Sequence, residues 1–384
     1  MIIHICAIPF VGTCNEGGQS MMRKTLRPWI CVILSVLMIA STVSAVSEEM
    51  SDVQRWTELE AEAYRKQDYE TAFYYCELAA KAGSMDAQFL AAGYCFYGVG
   101  TEQSFERAAE YFQMAADQGD SRSQVWLGSM YYYGFGFDRD YEKALAYLLP
   151  AADQGISDAQ ELLGEMYFLG NGVEASMETS LEYTRKAADQ GHGRALSNLG
   201  WMYENGRGVE QNYDKALEYY LQAADLGDST AMVNLGGMYE YGTGVAQSYE
   251  KAAEFYQLAS EQGDATAQAY LGQLYEFGDG VELSYEKALY YFQLSADQGN
   301  SIGQWGMGQM YQFGLGVEIS YEKAAEYYRL SAAQNDPDGL ECLGYLYLNG
   351  LGVEQSMDKA IELYRQAAVL GSEEAQRQLD LYAN

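Results

Sequence analysis

A spaced pair of glycines recurs every 36 residues along this chain, at Gly98/Gly100, Gly134/Gly136, Gly170/Gly172, Gly206/Gly208, Gly242/Gly244, Gly278/Gly280, Gly314/Gly316 and Gly350/Gly352. The eight copies follow one another without an insertion or deletion. A fixed period of this length points away from a single-core globule. It calls for a supersecondary unit that buries its apolar face only by stacking on copies of itself.

One period, residues 228–263, shows what that unit is. Asp228 or Ser229 is placed to cap a first helix, in which Ala231, Leu235 and Met238/Tyr239 recur at helical spacing and share one face. Gly242 suits a left-handed cap, Gly244 lets the loop turn, and Val245 returns to the core. Ser248 then caps a second helix, as Ser104, Asp140, Ser176, Asn212, Ser284, Ser320 and Ser356 do in the other copies. Glu250 in its first turn complements the helix dipole, and Ala252, Phe255/Tyr256 and Ala259 line its inner face. The unit reads as an antiparallel helix pair.

Gly236 lies inside the first helix, as do Gly128, Gly164, Gly200, Gly272, Gly308 and Gly344. A mid-helix glycine costs about 1 kcal/mol against alanine. Its recurrence implies a close helix crossing, with the alanine pairs Ala115-Ala116, Ala151-Ala152, Ala187-Ala188 and Ala223-Ala224 as its expected partners.

The motif Leu-Gly-x-Met-Tyr-x-x-Gly-x-Gly-Val, followed by Tyr-Glu-Lys-Ala-x-x-Tyr-Tyr and Ala-Ala-Asp-Gln-Gly, resembles the Sel-one-like repeat (SLR), a relative of the tetratricopeptide repeat. The resemblance covers residues 84–371 in eight units: 84–119, 120–155, 156–191, 192–227, 228–263, 264–299, 300–335 and 336–371. It implies an all-α, right-handed superhelical α/α solenoid that acts as a scaffold for protein–protein contacts. Departures are few. Ala92 replaces the helix glycine of the first unit, Met177-Glu178-Thr179-Ser180 replaces Tyr-Glu-Lys-Ala in the third, and Asn335 replaces a closing glycine.

Flanking segments complete the organisation. Residues 52–83 read as a tetratricopeptide-like capping pair, and residues 372–384 as a closing helix whose Asp380 puts charge where the repeats have glycine. Ahead of a short leader, 46–51, lies an N-terminal extension and signal peptide, 1–45. Arg23, Lys24 and Arg27 precede an apolar run from Trp29 to Ala40, and Val43-Ser44-Ala45 offers a cleavage site. Start sites at Met21 or Met22 fit that signal as well as Met1. Export to an extracytoplasmic or secreted location is expected, with an uncleaved membrane anchor as the alternative.

Charge narrows the partners. The chain carries 23 basic against 55 acidic residues, a net charge of −32, a poor match for nucleic acid or an anionic membrane. Beyond Ala45 the only histidine is His192, at a helix start where other copies have Asp120, Asp228 or Asp264, so it is expected as an exposed substitute cap. Cys76, Cys95 and Cys342 have no metal-ligand spacing. Cys76 and Cys95 fall on neighbouring helices, either paired or as buried free thiols. The glycine pairs follow no strand and lack the lysine of a phosphate loop, and no Asp-x-Asp-x-Asp calcium loop occurs. No cofactor, metal site or catalytic constellation is expected.

What remains is variation on the first helices, where tetratricopeptide arrays have their concave wall. One column reads Val125, Glu161, Ser197, Val233, Ala269, Trp305, Glu341; a second Ser129, Glu165, Trp201, Gly237, Gln273, Gln309, Tyr345. The third reads Phe96, Tyr132, Phe168, Glu204, Glu240, Glu276, Gln312, Leu348. Expected partner-binding residues are Tyr132, Glu165, Phe168, Trp201, Glu204, Glu240, Glu276, Trp305, Gln312 and Tyr345. Glu204, Glu240 and Glu276 read as an exposed acidic row for a protein or peptide with a basic segment. The expected function is an exported, non-enzymatic interaction scaffold. The alternative is a cell-wall or glycan hydrolase working through carboxylates the sequence does not single out.

Overall fold

The computed structural model describes residues 51–382; the signal segment expected at 1–45 lies outside the described residues. Among them there are 19 α-helices and no strands. They fall into two compact units, divided between Gln211 and Asn212. The first holds α1 (Asp52–Arg65), α2 (Tyr69–Lys81), α3 (Met85–Tyr97), α4 (Phe105–Ala116), α5 (Ser121–Tyr133), α6 (Tyr141–Asp153), α7 (Ser157–Leu169), α8 (Met177–Ala188) and α9 (Gly193–Asn205). The second holds α10 (Tyr213–Asp225), α11 (Ser229–Tyr241), α12 (Tyr249–Glu261), α13 (Ala265–Phe277), α14 (Tyr285–Asp297), α15 (Ser301–Phe313), α16 (Tyr321–Ala332), α17 (Pro337–Asn349), α18 (Met357–Val369) and α19 (Glu373–Tyr382).

Each unit is an α/α solenoid in which a helix packs on the one before and the one after it. First helices also touch across repeats, α5 on α7 in the first unit and α13 on α15 and α15 on α17 in the second. The caps explain where helices start and stop. Asp228, not Ser229, caps α11, accepting from the Ala231 amide at 2.7 Å. Ser248 accepts from the Lys251 amide at 3.3 Å to start α12. Gly242 ends α11 at φ 72°, its amide donating to the Met238 carbonyl. Gly244, at φ 70°, has a second reason to be glycine: a Cβ there would lie 2.2 Å from the Tyr213 Cβ at the start of α10. The loop of one repeat therefore seats on the second helix of the repeat before it.

The mid-helix glycine admits a side chain, not the alanine pair expected from sequence. A Cβ on Gly236 would lie 2.3 Å from Cε1 of Tyr256, and one on Gly308 2.4 Å from Cε1 of Tyr328. Leu148 occupies the same socket against Gly128, and Phe292 against Gly272. Tyr256 and Tyr328 are among the largest fully buried side chains. Burying a ring offsets the roughly 1 kcal/mol that each glycine costs its helix, since a buried large apolar side chain contributes about 1.5–3 kcal/mol.

Two motif residues acquire roles in the fold. The lysine of Tyr-Glu-Lys-Ala sits over the tyrosine of Met-Tyr, with Lys251, Lys287 and Lys323 each 4.7 Å from the ring centres of Tyr239, Tyr275 and Tyr311. Those rings stack on the second helix, Tyr275 on Tyr291 at 5.7 Å. The glutamine of Asp-Gln-Gly reaches back to a glutamine on the first helix of its own repeat. Gln298 donates to Gln268, Gln334 to Gln304 and Gln190 to Gln160, each at 2.8 Å. At the C-terminal end, Asp380 on α19 is exposed while Ala375 is buried.

Candidate functional site

In the first unit the variable positions make a charged, largely buried cluster. Glu161 on α7 is 5% exposed, and Arg194 on α9 reaches it with Nε at 3.0 Å while its Nη2 donates to Glu165. The Tyr132 hydroxyl on α5 donates to Glu165 Oε1 at 3.0 Å and accepts from Asn171 at 3.0 Å. Asn198 donates to Glu161 at 3.2 Å. Burial pushes the Glu161 carboxyl up and Arg194 opposes that shift. Burial works to lower the Arg194 guanidinium, but Glu161 and Glu165 hold it above its ordinary value. One guanidinium thus bridges two carboxylates, which leaves neither free to act as an acid or base pair.

His192, beside this cluster, corrects the sequence reading. It caps α9 as expected, Nδ1 accepting from the Ala195 amide at 3.2 Å, but it is buried. Its Nε2 lies 3.2 Å from Asp158. Burial alone would lower the imidazole; Asp158 and Glu161 overcome that and raise it. The imidazole that stands here in place of the usual aspartate thus caps with one nitrogen and faces Asp158 with the other.

The aromatic part of the third column is mostly core. Phe96 is 3% exposed, packed edge-on against Phe105 at 4.9 Å and Trp126 at 5.1 Å. Tyr132 is 5% exposed. Phe168 and Trp201 are half-buried and meet edge-on at 5.4 Å, and Glu204 is half-buried. The structure thus brings together Tyr132 with Glu165, and Phe168 with Trp201.

In the second unit Glu240 accepts from the Tyr256 hydroxyl at 2.7 Å, and Gln312 from Tyr328 at 2.7 Å. In these two repeats the tyrosine in the glycine socket therefore presents its hydroxyl to the third column. Glu276 is not an exposed member of an acidic row: it is 7% exposed, and its Oε2 has no hydrogen-bond partner. Burial pushes its carboxyl up to about 7. Trp305 is half-buried with an unpartnered indole Nε1, and Tyr345 is exposed.

A fourth column escaped the sequence reading. The residue just before the first loop glycine is Tyr241, Phe277 and Phe313 in three consecutive repeats, and these rings are 71%, 62% and 57% exposed. Their common register and aromatic type were visible; which of the neighbouring aromatics would face water was not. Cys76, Cys95 and Cys342 are free thiols. Among the described residues no cluster of histidine, cysteine and acidic side chains is placed to hold a metal ion, and no helix is long and apolar enough to cross a membrane.

Comparison with known proteins accounts for this arrangement. The Sel1 repeat matches residues 62–84, 86–120, 121–156, 157–192, 193–228, 229–264, 265–300, 301–336 and 343–372. Among solved structures, c5321, a protective antigen present in uropathogenic Escherichia coli strains and displaying an SLR fold, is 35% identical with a TM-score of 0.60. The match covers 80% of this chain and 66% of that one, so this chain spans just under two thirds of that protein's length. A Sel1 repeat protein from Oxalobacter formigenes is 27% identical, TM-score 0.54, over 90% of this chain and 99% of that one. No curated protein matches the chain. Nine matched repeats, most of them contiguous, show that the chain belongs to the Sel1 repeat family.

Proposed function

We propose that this chain is an exported scaffold that binds a protein or peptide segment along its first helices and carries out no catalysis itself. Sel1 repeat proteins are in general scaffolds for protein–protein contacts. The observation that carries the reading for this chain is the row Tyr241, Phe277 and Phe313, three large rings left mostly in water at one register. Aligned exposed aromatics mark interaction sites, and aromatic anchors supply most of the binding energy in such interfaces. Trp201 with Phe168, and the exposed Tyr345, add further aromatic surface on first helices. The strongly acidic composition disfavours nucleic acid and anionic membranes as partners. Export rests on the basic, apolar and small-residue pattern of residues 23–45, and the antigenic role of the c5321 protein is consistent with it. A hydrolase gains nothing from Glu161 and Glu165, since both are committed to Arg194.

Peptide display against the purified protein tests the reading. The wild type should enrich a family of related sequences, and a variant with Tyr241→Ser, Phe277→Ser and Phe313→Ser should lose most of that enrichment while keeping its helical circular dichroism. Equal enrichment by both proteins would remove the aromatic row from the reading. Release of sugars from peptidoglycan by the wild type would favour the hydrolase instead. Mass spectrometry of exported protein should find Val46 at the N-terminus.

A further inference from the structure

The charged cluster of the first unit has a counterpart four repeats later in which the central residue has changed sign. Glu276 stands where Tyr132 does, Trp305 in place of Glu161, Gln309 in place of Glu165, and Cys342 in place of Asn198. Most telling is Asp338, which replaces Arg194. The first unit carries its own guanidinium between its acceptors. The second has its acceptors at Glu276 and Gln309, and an acid where the cation would be.

Those acceptors are unsatisfied. Glu276 Oε2 and Gln309 Oε1 are buried acceptors without hydrogen-bond partners, and Trp305 Nε1 is a buried donor without one. Such atoms are few in native proteins, and each one calls for an explanation. For Glu276 part of the cause is one ring. Tyr256 and Tyr328 give their hydroxyls to Glu240 and Gln312 from the glycine socket, but in the intervening repeat the socket holds Phe292, which has none. The side chains share one neighbourhood: α15 packs on both α13 and α17, Tyr328 feels both Glu276 and Cys342, and the Cys342 thiol lies beside Trp305 and within the field of Asp338. Sulfur is too weak an acceptor to satisfy the indole. Asp338 and Tyr345 mark the solvent edge.

We propose that Glu276, Gln309, Trp305 and Asp338 form a receptor for one arginine side chain of the protein partner, which supplies the guanidinium that Arg194 supplies internally in the first unit. The proposal rests on the scaffold reading and names the chemistry of its ligand. A guanidinium offers five donors in a plane, enough to serve Glu276 and Gln309 together, and its flat face suits an indole. A lysine ammonium fits the acceptors but not the plane. A bare metal ion would find two carboxylates at most.

The test is titration of the full chain with L-argininamide at constant ionic strength, followed by NMR at the Trp305 indole. Saturable binding is expected, with lysinamide about tenfold weaker because it cannot make the paired, planar contact, and citrullinamide without measurable binding. Asp338→Arg rebuilds the first unit's arrangement and should abolish binding. Phe292→Tyr, a ring the socket accepts at Tyr256 and Tyr328, should weaken it by giving Glu276 a hydroxyl; circular dichroism confirms that both variants fold. No saturable argininamide shift, or equal binding by wild type and Asp338→Arg, would overturn the proposal. If peptide display still enriched sequences without arginine, the scaffold reading would survive that result. If argininamide bound and display enriched nothing, the receptor would stand without the scaffold reading.

Discussion

The same register position carries different physics in different repeats, and Glu276 is the clearest case. Its neighbour copies are tied to a tyrosine hydroxyl, whereas Glu276 is held in a dry place with one oxygen unserved. Its carboxyl is raised from 4.5 to about 7 by burial. An acid with a raised native value binds more protons folded than unfolded across that window, so its contribution to stability falls as pH climbs from 4.5 to 7. Above pH 7 the charged form is a net burden, on the order of 1–3 kcal/mol after allowance for relaxation. Glu276→Gln keeps the shape and removes the charge. The variant should match the wild type in urea unfolding at pH 4 and exceed it by that amount at pH 8. An unchanged difference at the two pH values would show that the carboxyl is not desolvated in solution.

At the scale of one helix pair, the glycine socket is the feature that joins sequence to packing. Gly236→Ala would put a Cβ 2.3 Å from the Tyr256 ring, and the gain in helix propensity, about 1 kcal/mol, is smaller than the overpacking cost of about 1–3 kcal/mol. The substitution should lower the urea midpoint, although alanine normally stabilises an exposed helix. Pairing it with Tyr256→Leu, the size of residue that Leu148 provides against Gly128, should recover part of the loss. A stabilising Gly236→Ala on its own would mean the ring moves aside freely. The helix pair itself was legible because every signal repeats: the caps at Ser248 and its counterparts, the left-handed Gly242, and the apolar spacing of Leu235 and Met238. The glycine was legible as a close approach, but its partner was not, because Tyr256 is 20 residues away in sequence and the Ala-Ala pair looks equally small and regular. The candidate site was harder still. Glu240, Glu276 and Gln312 share a column, yet whether a carboxylate is solvated, bonded or orphaned depends on the ring at 256, 292 or 328, a contact between helices. His192 was recognisable as a cap, but its burial depends on Asp158 one repeat earlier.

At the largest scale, the decisive property is that within each unit contacts run between sequence neighbours and adjacent repeats. Within each unit helices pack on the next helix and, among first helices, on the next repeat, so stability should be close to a sum over repeats and their interfaces. Removing residues 228–263 takes out one period, α11 and α12 with their loop. The junction this creates is already chemically rehearsed. Gly280 now seats against Tyr249 at the start of α12, and after deletion it would meet Tyr213 at the start of α10, where Gly244 sits today. Asp264 would follow Gly227 and cap α13 as before. Losses are confined to side chains that differ between repeats, such as the Ser229 hydroxyl on Asp264 at 3.2 Å. The shortened chain should fold with unchanged helicity per residue. Its urea dependence should fall by roughly one-eighth because that slope follows the surface exposed on unfolding, and its midpoint should drop modestly. The Glu276–Asp338 receptor lies wholly C-terminal to the cut and should bind L-argininamide as the intact chain does. A deletion that abolished helicity would mean that the repeats are held by long-range contacts rather than by their neighbours.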